Sequence, residues 1–192
     1  LWDMPSGELR STLDGHPRGT IAVTFSPDGE TIASGGGDGT LRIWNTASGQ
    51  LSRSISVHEK AVTAVAFRND GRMLATLDGG RSVRLWEFET GQELSVFQSP
   101  PTDAWSIAFS PTEPVLAVAS AGDDAVGLWS LETGERIKVI APQHEATGIS
   151  YSRDGLLMAT ASTGGIVKVW NVTDGSLIQE TRGHYAQAWS VA

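Results

Sequence analysis

A chain of 192 residues with 40 % hydrophobic and 19 % charged side chains has the make-up of a folded globular protein, not of a disordered one. Its net charge of −8 and pI near 4.9, with no two Lys or Arg adjacent, repel phosphate backbones and anionic lipid, so neither nucleic acid nor a membrane is expected as a partner. There is no cysteine for disulfides or thiolate metal sites, no secretory pattern in residues 1–10, and apolar stretches such as Val115 to Ala119 are far too short to span a bilayer; a cytoplasmic protein is expected.

In chain order, Leu1-Trp2-Asp3 reads as the end of a strand. Thr20 to Phe25 forms a short strand stopped by Ser26-Pro27-Asp28-Gly29, a strong turn signal. A second apolar run, Thr31 to Ser34, ends at Gly35-Gly36-Gly37-Asp38-Gly39. Leu41-Arg42-Ile43-Trp44 then alternates apolar with polar, as a half-buried strand does. The turn Thr46-Ala47-Ser48-Gly49 leads to a fourth strand, Leu51 to Val57. Four strands joined by tight turns in about 42 residues make one antiparallel meander, close to one propeller blade.

The later units repeat this plan. Asn69-Asp70-Gly71 and Arg153-Asp154-Gly155 replace the first turn, and Ser110-Pro111-Thr112-Glu113-Pro114 stiffens it with two prolines. The second turn returns as Glu89-Thr90-Gly91, Glu132-Thr133-Gly134 and Thr173-Asp174-Gly175. Tryptophans 2, 44, 86, 129 and 170 recur every 41 to 43 residues; Phe25, Phe67, Phe109 and Tyr151 stand 42 apart. Glycines 7, 49, 91, 134 and 175 each follow a tryptophan by five. Three markers on one period imply a radially repeated all-β architecture. The units are divided as 1–15 (the end of a blade), 16–57, 58–99, 100–143, 144–183 and 184–192 (the start of a further repeat).

Gly15-His16, the strand-turn Phe25 to Gly29, and the block from Ile32 through Gly35-Gly36-Gly37-Asp38-Gly39 to Trp44 resemble the WD40 repeat across essentially the whole chain. The resemblance implies a β-propeller of four-stranded antiparallel blades and a platform that assembles other proteins rather than a catalyst. Rings of this family usually have about seven blades, roughly 290 residues. Four complete units flanked by two partial ones are therefore expected to be part of a larger ring.

Taken alone, His16, Ser34 and Asp38 are the parts of a nucleophilic triad. The resemblance implies instead that they form, with Trp44, a structural hydrogen-bonded tetrad. A buried indole N–H needs an acceptor and a buried aspartate needs donors. A set that recurs in each unit is scaffolding, whereas an active site is singular. The later units are expected to erode it. Unit two keeps His58, Thr76 and Trp86, but Asp78 stands two positions early and Gly80 takes the expected place. Unit three has Pro100 and Val118 in place of His and Ser/Thr, with Asp123, Asp124 and Trp129 remaining. Unit four has Thr160 and Trp170, His144 displaced by two, and no aspartate in its turn, and His184 opens a further unit in register. Histidines spread over separate blades cannot converge on one metal ion, and the glycine run lacks the helix and Lys-Ser/Thr of a phosphate loop. No metal and no cofactor are expected.

Binding is sought where solvent-facing residues break the repeat. Four positions before each strand-one aromatic stand Ile21, Thr63, Trp105, Thr147 and, in the last unit, Trp189; two positions earlier stand Gly19, Ala61, Asp103, Glu145 and Gln187. The resemblance places this part of the strand at the channel mouth. Trp105, Asp103, Trp189 and Glu145 are the candidate partner-binding residues; the bland alternative is that the indoles plug the channel. An acidic-aromatic patch prefers a partner bearing Arg or Lys. The expected function is a non-enzymatic protein-interaction scaffold with a protein partner and no small-molecule substrate. The alternatives are a propeller enzyme such as a glycosidase or lyase, which needs unrepeated axial carboxylates, or a regulatory domain fused to a kinase or ATPase.

Overall fold

A computed structural model of the chain describes residues 1–79, 82–98, 104–120, 124–142, 145–183 and 188–191. It contains four four-stranded antiparallel sheets, each in simple sequential order. The first holds β1 (Thr20–Phe25), β2 (Thr31–Gly36), β3 (Thr40–Asn45) and β4 (Leu51–Ser56); the second β5 (Val62–Phe67), β6 (Met73–Asp78), β7 (Ser82–Glu87) and β8 (Glu93–Gln98). The third holds β9 (Ala104–Phe109), β10 (Val115–Ser120), β11 (Asp124–Ser130) and β12 (Arg136–Pro142); the fourth β13 (Gly148–Tyr151), β14 (Leu157–Ala161), β15 (Ile166–Asn171) and β16 (Leu177–Arg182). The all-β meander read from the turns is the fold observed, and Trp44, Trp86, Trp129 and Trp170 all lie on the third strand of a sheet.

The same register returns in every sheet. Phe25, Ile32 and Trp44 form one cross-strand row, as do Phe67, Leu74 and Trp86, Phe109, Leu116 and Trp129, and Tyr151, Met158 and Trp170. The ladder from the third to the fourth strand shifts register at each of these tryptophans. Such a bulge adds twist and bends the outer strand. A large aromatic at a fixed place in the pleat thus sets both the pairing and the curvature of the sheet.

Neighbouring sheets pack face to face. Ala33, Leu41 and Ile43 of the first meet Val62, Val65 and Phe67 of the second. Ala75, Leu77 and Phe97 meet Ile107, Phe109 and Val118 at the next seam, and Ala117, Val126 and Ile140 meet Ile149 and Met158 at the third. Strand β10 is buried along its whole length because both of its faces are covered. The innermost strands β1, β5, β9 and β13 lie side by side in that order. A cavity of about 620 Å³ runs beside them, lined by Thr24, Val65, Ile107, Ile149 and also Val191. Segment 188–191 therefore enters where a fifth inner strand belongs. Before the first sheet, Trp2 and Leu9 form an antiparallel bridge. Among the described residues no helix is long and apolar enough to cross a membrane.

Strand β2 extends past the Thr31–Ser34 expected from sequence, through Gly35 and Gly36. A Cβ on Gly36 would collide with His16 Nδ1 and Asp38 Oδ1, and one on Gly35 with Val62. The glycine run is strand as much as turn, left bare so that a side-chain cluster and the next sheet can approach the backbone. Within the run Gly35-Gly36-Gly37-Asp38-Gly39, Gly39, at φ 75°, is the glycine that needs the left-handed region, closing the hairpin into β3.

Candidate functional site

At the end of the first sheet where β2 turns into β3, the four tetrad residues come together. Asp38 Oδ1 lies 3.1 Å from His16 Nδ1, His16 Nε2 lies 2.8 Å from Ser34 Oγ, and the Trp44 indole N–H donates to Ser34 Oγ at 2.8 Å. Arg42 and Thr40 also donate to Asp38, at 2.9 and 2.7 Å. Desolvation alone would raise the Asp38 carboxyl; donation from Arg42, Thr40 and His16 outweighs it and holds the group well below the usual carboxylate range. The proton order that serves the indole and the carboxylate is Trp44 N–H to Ser34, Ser34 O–H to His16 Nε2, and His16 Nδ1–H to Asp38. Ser34 is 5 % exposed and the His16 imidazole 1 %. A serine whose oxygen is engaged by a buried indole and closed to solvent has no room for a substrate carbonyl.

The second unit departs from the sequence expectation. Thr76 Oγ1 accepts from Trp86 Nε1 at 2.9 Å and lies 2.8 Å from His58 Nε2, and Asp78 Oδ2 lies 3.3 Å from His58 Nδ1. The displaced aspartate thus stays near the histidine without a hydrogen bond to its Nδ1: it sits at the end of β6, where its carboxylate caps the turn by accepting from Ser82 N at 2.7 Å. Erosion in this unit removes the His–Asp hydrogen bond of the first and keeps the Thr–His and Thr–Trp bonds. In the third unit Val118 supplies no acceptor, and the buried Trp129 indole N–H has no hydrogen-bond partner among the described residues; its ring stacks on Phe97 at 5.4 Å. In the fourth, Trp170 Nε1 donates to Thr160 Oγ1 at 3.0 Å. Gly80, Pro100, Asp103, Asp123, His144, His184 and Gln187 lie outside the described residues. Among the described residues no three His, Asp or Glu side chains are grouped to hold a metal ion.

Trp105 lies at the opposite end of its inner strand from the Phe/Tyr row. It stands two residues before Ile107 on β9, and Trp189 two before Val191, so the two share a repeat position, one on β9 and one on the 188–191 segment, either side of β13. Thr147, at that position in between, is buried; its hydroxyl donates to the backbone of Ala161 and of Ala188, tying the 188–191 segment to β13. Gly148 completes the close approach, because a Cβ there would stand 2.9 Å from the Ser190 backbone. Over this low point the two indoles meet edge to face, with centroids 6.4 Å apart and planes at 69°. Trp105 is 43 % exposed and Trp189 60 %. Glu145 is exposed nearby in sequence and accepts from Thr163 Oγ1 at 2.7 Å.

Two sets of contacts were not anticipated. Arg53 on β4 donates to the Phe88 and Glu89 carbonyls of the next sheet, both at 2.8 Å, and Lys138 on β12 donates to Val172 and Thr173 at 2.8 and 2.6 Å. Both cations stand nine residues after the repeat tryptophan, and the spacing was available as a signal. Lys168, buried on β15, places its ammonium 5.7 Å from the Trp170 ring centre and 3.4 Å from Glu180.

Comparison with known proteins agrees with this geometry. The family model described as "WD domain, G-beta repeat" matches residues 7–45, 49–87, 91–130 and 134–171. Three of these matched segments, from 49 onward, run from the outer strand of one sheet through the third strand of the next, so each repeat covalently links two blades. The mouse periodic tryptophan protein 2 homolog is 33 % identical over 94 % of this chain and 20 % of its own length; the small ribosomal subunit protein RACK1y of Oryza sativa subsp. japonica is 27 % identical over 90 % of this chain and 40 % of its own. The chain spans well under half the length of these curated relatives. In fold it is similar to the β-propeller domain of Cps50 (Swd1) from Myceliophteria thermophila, with a TM-score of 0.80 and 20 % identity over 94 % of this chain and 59 % of that one. With four matched repeats laid on four like sheets, the chain belongs to the WD40 repeat family, as a β-propeller.

Proposed function

We propose that this chain is a non-catalytic scaffold that docks a protein partner on the channel mouth bearing Trp105 and Trp189. The observation that carries the reading is the contrast between two constellations. The Ser/Thr-His-Asp set is buried, returns in the first two units and serves indole N–H groups. The tryptophan pair breaks the repeat and leaves both rings about half open to solvent. Aromatic anchors of this kind dominate binding energy at protein interfaces. WD40 propellers in general serve as protein-binding platforms, and one relative is by name a ribosomal-subunit protein. An intracellular setting fits the absence of cysteine.

The test is Trp105→Ala, measured twice. If the indole is an anchor, affinity for a partner recovered with the wild-type chain should fall by about 2 kcal/mol or more while the fold persists. If it is a plug, the loss should appear as about 3–5 kcal/mol of stability instead. Full-strength binding by the folded variant would remove Trp105 from the site.

A further inference from the structure

Resting on that docking face, we infer the chemistry of what it recognises: a basic peptide segment that lays an arginine side chain on the Trp105–Trp189 pair. Two indoles at 69° form an open corner, and their ring faces carry the negative lobe of the aromatic quadrupole. Glu145 is exposed two residues before Thr147, in the connection that leads into β13, and its carboxylate is oriented by Thr163. In sequence, the connections 99–103, 121–123, 143–147 and 162–165 and the segment 183–191 contain Asp103, Asp123 and Glu145 and neither Lys nor Arg. The corresponding segments of the first two units carry Arg18, Lys60 and Arg81. Fixed charge in the former stretches of sequence is therefore of one sign, on a chain whose net charge is −8.

The molecule already contains the pairing it offers. Lys168 is held between the Trp170 ring and the Glu180 carboxylate, so aromatic face plus acid is a combination this fold satisfies with a cation of its own. The exposed pair has no such cation among the described residues. Arginine fits better than lysine because the corner is shallow. Rings that stay half open to water do not desolvate a compact ammonium, whereas a guanidinium is weakly hydrated and stacks flat on an indole while its N–H edges reach a carboxylate.

The experiment titrates the chain with capped Gly/Ser pentapeptides carrying one central arginine, lysine, citrulline or glutamate, and follows the indole N–H resonances of Trp105 and Trp189. The arginine peptide should move both signals along one saturable curve. Lysine should bind several-fold more weakly, and citrulline, which keeps the shape without the charge, at least about tenfold more weakly. Trp189→Ala and Glu145→Gln, both at exposed positions, should each weaken arginine binding while the remaining indole spectrum is retained. Equal binding of citrulline or glutamate would overturn the cationic inference but leave the docking face standing. No movement of either indole with arginine up to about 10 mM would overturn it as well. Loss of a recovered partner in Trp105→Ala, by contrast, tests the docking face without reference to charge.

Discussion

Val118 occupies the place that Ser34, Thr76 and Thr160 hold in the other sheets, and the consequence is a buried indole N–H on Trp129 that finds no acceptor. Threonine has the shape of valine, so Val118→Thr should give Trp129 the bond its counterparts make and raise unfolding stability by about 1 kcal/mol, read from denaturant melts. The reverse change, Thr76→Val, strands both Trp86 and His58 and should cost at least about 2 kcal/mol. Were the first variant less stable than wild type, the hydroxyl would not be reaching the indole. Titration adds a second handle on the same cluster. Burial pushes the His58 imidazole below its ordinary value, more strongly than Asp78 pulls it up. A histidine harder to protonate when folded favours the unfolded state once the unfolded imidazole charges. Stability should therefore decline as pH falls below about 6.5, with a slope of at most about 1.4 kcal/mol per unit, and His58→Gln should flatten it. Asp38 behaves differently: its lowered carboxyl adds stability that is complete above about pH 4 and is lost as the pH falls further, so wild type and Asp38→Asn should converge in acid.

Strands were legible because each is fenced by turn chemistry that sequence displays openly, and the tryptophans of the third strands carried the period. What was not legible depends on distances between elements. Asp78 looks misplaced by two positions, yet at the end of β6 its carboxylate still comes within 3.3 Å of His58, because a turn can be crossed from either side. The contact between Trp105 and Trp189 spans two full repeats; both residues were singled out, but their meeting depends on buried Thr147 lying between them. Arg53 and Lys138 read as ordinary polar residues of exposed outer strands. In the fold they reach the first carbonyls of the turn that follows the next sheet's third strand and fasten one seam each, while Ser95 and Gln179 hold the same position elsewhere. A charged donor to two carbonyls, partly exposed, should contribute about 1–2 kcal/mol. Arg53→Met keeps the aliphatic packing and should lose that much; Ser95→Ala, at the matching place, should lose almost nothing. Equal effects would mean that the clasp adds nothing to its seam.

Across the molecule, the same sequence position has different energetics according to whether another inner strand lies against it. Val65 and Phe67 on β5 are each 9 % exposed because the first sheet covers them, whereas Val23 and Phe25, their repeat equivalents on β1, are 65 % and 54 % exposed. Such a chain is held together by terms within each sheet plus terms at each seam, and a side chain counts toward a seam only if the seam exists. Phe67→Ala should cost about 3–5 kcal/mol, since it opens a cavity between the first two sheets. Phe25→Ala, in the same row of the same type of sheet, should cost less than about 1 kcal/mol in this chain. Equilibrium denaturation of the two variants under one set of conditions decides the matter. Comparable losses would show that the phenylalanine acts mainly within its own sheet, against Ile32 or Leu74, and that the seams contribute less than the buried surface between β1 and β5 implies.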